Sequence, residues 1–141
     1  MSCYVDTSVW LALLGREATA PAVATWMSGG MILATAQWTA VELASGLGIK
    51  ARRGEFTQAT ASSICDAFRQ LIAIDGVSVP PCRDTDFQEA AALCERIGSG
   101  LRGGDALHLA VAQRLGCTHF LSFDKVLNQQ AEQAGLMLIA I

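Results

Sequence analysis

The 141 residues fit one domain, residues 1–141, since domains run about 100–200 residues; a chain near that length folds without disulfides or a structural metal. Hydrophobic residues make up 52% and charged ones 16%, which excludes disordered and fibrous classes. A formal net charge of −3 and a pI near 5.2 speak against nucleic-acid binding through overall charge, although Arg16, Lys50-Ala51-Arg52-Arg53, Arg96 and Arg102 offer local cations that could equally be solvated helix ends.

Cys3-Tyr4-Val5 reads as a short buried strand, and Asp6-Thr7-Ser8 opens a helix through Leu14 that Gly15 ends. A helix follows over about 20–28 with Pro21 in its first turn, then a turn at Gly29-Gly30 and a second buried strand, 31–34. Residues 37–48 are helical, with Trp38, Val41, Ala44 and Leu47 at helix period, and a longer helix covers about 55–74. Val77-Ser78-Val79 is a strand stopped by Pro80-Pro81, and 84–97 is a helix opened by Asp84 and Thr85. A glycine-rich loop, 98–104, precedes an almost wholly apolar helix, 105–115. The chain closes with a strand over 117–123, a helix from Asp124 to Gly135, and a strand over 136–141. Strands alternating with helices predict an α/β fold, a parallel sheet covered on both faces. The mean hydropathy of +0.36 suits strands that are apolar on both sides.

No apolar run reaches the roughly 18 residues of a membrane span, and Met1 to Asp6 lacks the basic region and cleavage signal of a secretory leader. No membrane partner is expected. The five cysteines form no C-x-x-C pair, and neither histidine sits at zinc-finger spacing from one. They read as reduced thiols in a cytoplasmic protein.

Four carboxylates stand out. Ligands of open parallel sheets collect beyond the carboxyl ends of the strands. Asp6 and Asp124 directly follow strands, Asp105 follows the glycine-rich loop, and Glu42 borders the apolar stripe of its helix. Taken singly, the three aspartates are well placed as helix N-caps and Glu42 as an exposed helix residue. Taken together, such acids would stay ionised only around a cation. All-oxygen ligands suit Mg²⁺ or Mn²⁺, and phosphodiester hydrolysis is the natural chemistry of a carboxylate-held cation.

The stretches Tyr4-Val5-Asp6-Thr7-Ser8, Val41-Glu42-Leu43, Arg102-Gly103-Gly104-Asp105-Ala106-Leu107-His108-Leu109-Ala110 and Leu121-Ser122-Phe123-Asp124 resemble, in order and over the whole chain, the signature of PIN-domain ribonucleases. They are most similar to the VapC-type toxins of type II toxin–antitoxin pairs. The resemblance implies a PIN-like three-layer sandwich with a central parallel sheet flanked by helices, and a Mg²⁺- or Mn²⁺-dependent endoribonuclease site built from Asp6, Glu42, Asp105 and Asp124. It matches Ser8 to a hydroxyl that orients ligand or phosphate, while Ser122 stands where the family often has Thr. It also implies an RNA substrate, a cognate antitoxin that blocks the site, a homodimer, and a heterotetramer or larger assembly with the antitoxin.

On this reading Asp6 and Asp105 are the primary ligands, and Glu42 and Asp124 complete the cluster, either of them able to take a proton from the attacking water. The expected products carry 5′-phosphate and 3′-hydroxyl ends, because no histidine pair is evident for attack by a 2′-hydroxyl. Arg102 is a candidate phosphate contact. His108, one turn after Asp105, is read first as a packing histidine and second as a neighbour of the ligands; His119 reads as ordinary structure. Trp10, Trp26 and Trp38 lie on apolar helix faces, which favours core or interface roles over base stacking.

Three rival readings remain. A haloacid-dehalogenase-type phosphohydrolase would need an acid where Ser8 stands, and a receiver domain would need paired acids beside Asp6. A catalytically inactive PIN-like module that binds RNA or a partner keeps the fold and loses the chemistry.

Overall fold

The computed structural model describes residues 1–74 and 76–141. Its elements are β1 Ser2–Val5, α1 Thr7–Leu14, α2 Ala20–Met27, β2 Ile32–Ala34, α3 Gln37–Arg52, α4 Gln58–Ile74, α5 Asp84–Glu95, α6 Gly103–Arg114, β3 His119–Leu121, α7 Lys125–Gln133 and β4 Met137–Leu138. The strands form one sheet in the order β2-β1-β3-β4, every pairing parallel.

Side chains alternate across a strand, so β1 feeds both faces of the sheet. Tyr4 points to one face with Phe120 of β3, packing against Leu93 of α5, Leu107 and Leu109 of α6 and Leu127 of α7. Cys3, Val5 and Leu121 point to the other, against Val9 and Trp10 of α1, Val23 of α2, Leu43 and Leu47 of α3 and Phe68 of α4. Two apolar cores separated by a sheet make three layers, as the sequence predicts. Among the described residues no helix is long and apolar enough to cross a membrane.

The ends of the elements depart from expectation where hydrogen bonding overrides composition. Val77 to Val79 is no strand: Ser78 forms a single parallel bridge to Ala34, and the two prolines beyond it have no N–H with which to extend a ladder. The last strand holds only Met137 and Leu138, and β2 is an edge with Ile32 62% exposed. The strand expected over 117–123 is paired only over His119–Leu121. Helix α3 runs past Gly48 to Arg52, α4 starts at Gln58 rather than near Glu55, and α5 stops at Glu95, with Arg96 extended.

At the start of α5 the N-cap is Arg83, not Asp84 or Thr85. Asp86 accepts the Arg83 N–H at 2.8 Å, and the Arg114 guanidinium grips the same carboxylate at 2.6 and 2.9 Å. This pair, with Asp86 buried and Arg114 partly exposed, ties α5 to the end of α6. The N–H of Trp10 donates to the Val5 carbonyl at 3.1 Å and the ring is fully buried, which makes it core. Cys3 and Cys117 are buried, whereas Cys94 is exposed.

Candidate active site

Strands β1 and β3 end side by side, with the Asp6 N–H donating to the Leu121 carbonyl at 3.0 Å. That pairing places the loops leading into α1 and α7 together. Asp6 is the N-cap of α1 and Asp124 the N-cap of α7, accepting from Ser8 N and Leu127 N respectively. The capping reading is therefore correct for both. It is incorrect for Asp105, because α6 begins two residues earlier, at Gly103, with Arg102 as N-cap. Asp105 lies in the first turn of α6 instead.

Capping uses only part of each carboxylate. The Oδ2 of Asp6 accepts from the Ser8 hydroxyl at 2.7 Å, the Ser122 hydroxyl at 2.8 Å and the Ser8 N–H at 3.4 Å. Its Oδ1 takes none of these and lies 3.4 Å from His108 Nε2. Asp124 caps through Oδ1 at 2.8 Å, leaving Oδ2. Ser8 and Ser122 link the two loops further: Phe123 N–H donates to Ser8 Oγ and Asp124 N–H to Ser122 Oγ, both at 3.0 Å.

Glu42 reaches the same place from α3. Its Oε1 accepts the Thr7 hydroxyl at 2.7 Å and is hydrogen-bonded to His108 Nε2. Burial alone would raise the pKa of Glu42, but the hydrogen bonds from His108 and Thr7 outweigh it and hold the carboxyl below its ordinary value. The Trp38 N–H lies beside this carboxylate but outside hydrogen-bonding geometry, so it contributes as a dipole. A Cβ on Gly104 would meet Trp38 Nε1 at 2.9 Å and Glu42 Oε2 at 3.0 Å; only glycine lets α6 come this close to α3.

Asp105 makes no hydrogen bond through its carboxylate among the described residues. Burial, then the charges of Asp124, Asp6 and Glu42 in that order, push its pKa up to about 6. All four acids thus share one electrostatic neighbourhood. Among the described residues Asp6, Glu42 and His108 bring ligand atoms within 4.8 Å of one another, a tighter set that does not include Asp105 or Asp124. Arg102, the N-cap of α6, is exposed.

Sequence reasoning finds the carboxylates and the serine but misses what holds them. Thr7 and Tyr4 carry no signal beyond lying within two residues of Asp6. The packing reading of His108 is half the truth: it is fully buried, yet its ring also touches Tyr4, Thr7 and two of the acids, Asp6 and Glu42. The donor set fits a divalent cation: Glu42 Oε2, Asp124 Oδ2 and both oxygens of Asp105 are left over by the fold, Asp6 Oδ1 is approached by His108 Nε2 at 3.4 Å, and the neighbouring charges that add to burial in raising the Asp105 pKa are ones a cation would offset.

Comparison with known proteins is consistent with this geometry. The structure is similar to Mycobacterium tuberculosis VapC20, described as a sarcin–ricin loop cleaving toxin, with a TM-score of 0.69 at 22% identity over 91% of this chain and 94% of that one. It resembles VapBC2 from Rickettsia felis, bound to a DNA fragment from its promoter, with a TM-score of 0.67 at 10% identity over 99% and 98%. It also resembles FitAcB from Neisseria gonorrhoeae, at 0.63 and 11% over 98% and 96%. No curated protein matches the sequence. The model of the PIN domain matches residues 3–133, and the chain belongs to the PIN domain family.

Proposed function

We propose that this chain, acting as one PIN-like unit over residues 1–141, is a Mg²⁺- or Mn²⁺-dependent endoribonuclease and the toxin of a type II toxin–antitoxin pair. The observation that carries the reading is the convergence of Asp6, Glu42, Asp105 and Asp124, from four separate elements, with oxygens that the fold leaves free. The description of the M. tuberculosis relative as a sarcin–ricin loop cleaving toxin, and the complexes named for the R. felis and N. gonorrhoeae proteins, support the substrate and partner classes.

Asp6 and Asp105 would hold the cation, with Glu42 and Asp124 completing the cluster. When bound, the cation supplies Lewis-acid polarisation of a phosphate and a lowered pKa for the attacking water. The chain supplies the rest. Ser8 and Ser122 fix Asp6 from one side, which leaves its other oxygen aimed at the site. Thr7 and His108 fix Glu42. Either Glu42 or Asp124 would take the proton, each through an oxygen that the fold leaves free. Arg102, exposed at the N-terminus of α6, would meet a phosphate, as would the Ser8 hydroxyl once it turns from Asp6. The partners on this reading are RNA, a cognate antitoxin and a second copy of the chain, assembling into a heterotetramer or larger complex in the cytoplasm.

Titrating Mg²⁺ or Mn²⁺ against cleavage of end-labelled single-stranded RNA tests the proposal. The expected result is metal-dependent cleavage leaving 5′-phosphate ends, abolished in Asp6→Asn and weakened through RNA affinity in Arg102→Ala. Absence of cleavage by the wild-type chain at every metal concentration would leave a binding module in its place.

A further inference from the structure

Tyr4 and His108 are both fully buried, and the phenol oxygen lies 2.6 Å from His108 Nδ1. It is the one contact of full hydrogen-bonding geometry that the Tyr4 hydroxyl makes among the described residues, with the Thr35 and Thr39 hydroxyls and the Ala36 N–H nearby. A phenol is neutral at physiological pH, and a buried O–H left without an acceptor costs its full desolvation. Its proton therefore goes to Nδ1, which makes that nitrogen an acceptor and places the ring proton on Nε2.

The other side of the ring demands the same arrangement. Nε2 faces Glu42 Oε1, Thr7 Oγ1 at 3.2 Å and Asp6 Oδ1 at 3.4 Å. Thr7 has already given its single proton to Glu42, so all three oxygens present lone pairs. A bare Nε2 would set a fourth lone pair against them. The Tyr4 ring is itself pinned, stacked on Phe120 with centroids 5.4 Å apart and edge-on to the imidazole.

We propose that Tyr4 is a positioning residue that fixes His108 with Nδ1 as acceptor and Nε2 as donor, so that the imidazole holds Glu42 and Asp6 together by donation and is not itself a ligand of the cation. The inference rests on the proposed site in treating Glu42 and Asp6 as cation ligands, while the tautomer is a property of the metal-free chain. The ring N–H keeps two carboxylates side by side before any cation arrives, and the four acids remain the ligand set.

Long-range ¹H–¹⁵N correlation spectra of the full chain read both ring nitrogens, with His119→Asn assigning the His108 signals. The expected pattern is a pyridine-type Nδ1 and a pyrrole-type Nε2, kept when Mg²⁺ is added. A pyridine-type Nε2 in either state, or two pyrrole-type nitrogens, would overturn the proposal. Tyr4→Phe removes only the hydroxyl. The Nδ1 signal should then move toward that of an unbonded nitrogen, and Mg²⁺ should bind about 10–100-fold more weakly, as when such supporting partners are lost; a stationary Nδ1 signal or unchanged affinity refutes the role of Tyr4. His108→Gln keeps an N–H donor and His108→Leu does not, so the glutamine variant should bind Mg²⁺ more tightly, and equal loss in both counts against donation. If the wild-type chain shows the expected tautomer and cuts no RNA, the nuclease reading fails and the tautomer stands.

Discussion

Asp105→Asn should make the metal-free protein more stable at neutral pH while abolishing the proposed activity. The pKa of Asp105 is pushed up to about 6 from an ordinary 3.8 by burial and by the charges of Asp124, Asp6 and Glu42. Between those values the folded protein holds a proton that the unfolded chain has released, so stability falls as pH rises through the window of about 4 to 6. A rise of about two units corresponds to about 3 kcal/mol at 1.36 per unit, and partial exposure of Asp105 reduces this to about 1–2 kcal/mol. The amide carries no charge and removes the loss. Thermal melts in a chelating buffer should show the variant about 3–8 °C more stable near pH 7.5 and no different near pH 4. Saturating Mg²⁺ should reverse the order, because the cation stabilises the form that binds it by mass action. A variant no more stable than wild type near pH 7.5, or equally more stable at both pH values, would refute the idea that the acids are crowded together.

Gly104→Ala places a Cβ at 2.9 Å from Trp38 Nε1 and 3.0 Å from Glu42 Oε2. RNA cleavage should drop at least tenfold as Glu42 is displaced, with the melting temperature nearly unchanged because alanine favours the helix by about 1 kcal/mol; full activity would show that the carboxylate has room. Arg114→Met leaves the buried Asp86 carboxylate without its partner and should cost about 3 kcal/mol in urea unfolding. Asp86 is held below the ordinary carboxylate range chiefly by the Arg114 hydrogen bonds, so this contribution is present above the unfolded pKa and fades as pH falls through the lower folded one. Ser122→Ala removes a donor to Asp6 and should cost about 1.5–3 kcal/mol, as for a bond to a charged group, together with weaker Mg²⁺ binding; unchanged values for both would mean that Ser8 alone fixes Asp6.

The parts of this molecule that sequence reveals are those where one residue type has one physical job. Cys3-Tyr4-Val5 is apolar between polar ends and becomes a strand; Asp6 and Asp124, right after strands, cap the helices that come next. The layer order comes from alternating strands and helices. What sequence hides depends on partners distant in the chain. Val77 to Val79 has strand composition but no room for a ladder beyond one bridge, and Asp105 resembles a cap until Arg102 takes that position. His108 cannot be assigned from its neighbours, because its meaning comes from Tyr4 and Thr7 about a hundred residues earlier. Asp86 looks like one more first-turn acid of α5, and only the fold brings Arg114 to it.

The parallel pairing of β1 with β3 has a consequence for the protein while it is being made. Residue 6 leaves the ribosome early, but the strand that gives it a neighbour and the serine that turns its carboxylate arrive more than a hundred residues later. A nascent or truncated chain therefore carries its acids scattered. Whatever chemistry they perform together switches on only once translation has passed Asp124, so the cell that makes this protein does not meet the finished site piecemeal.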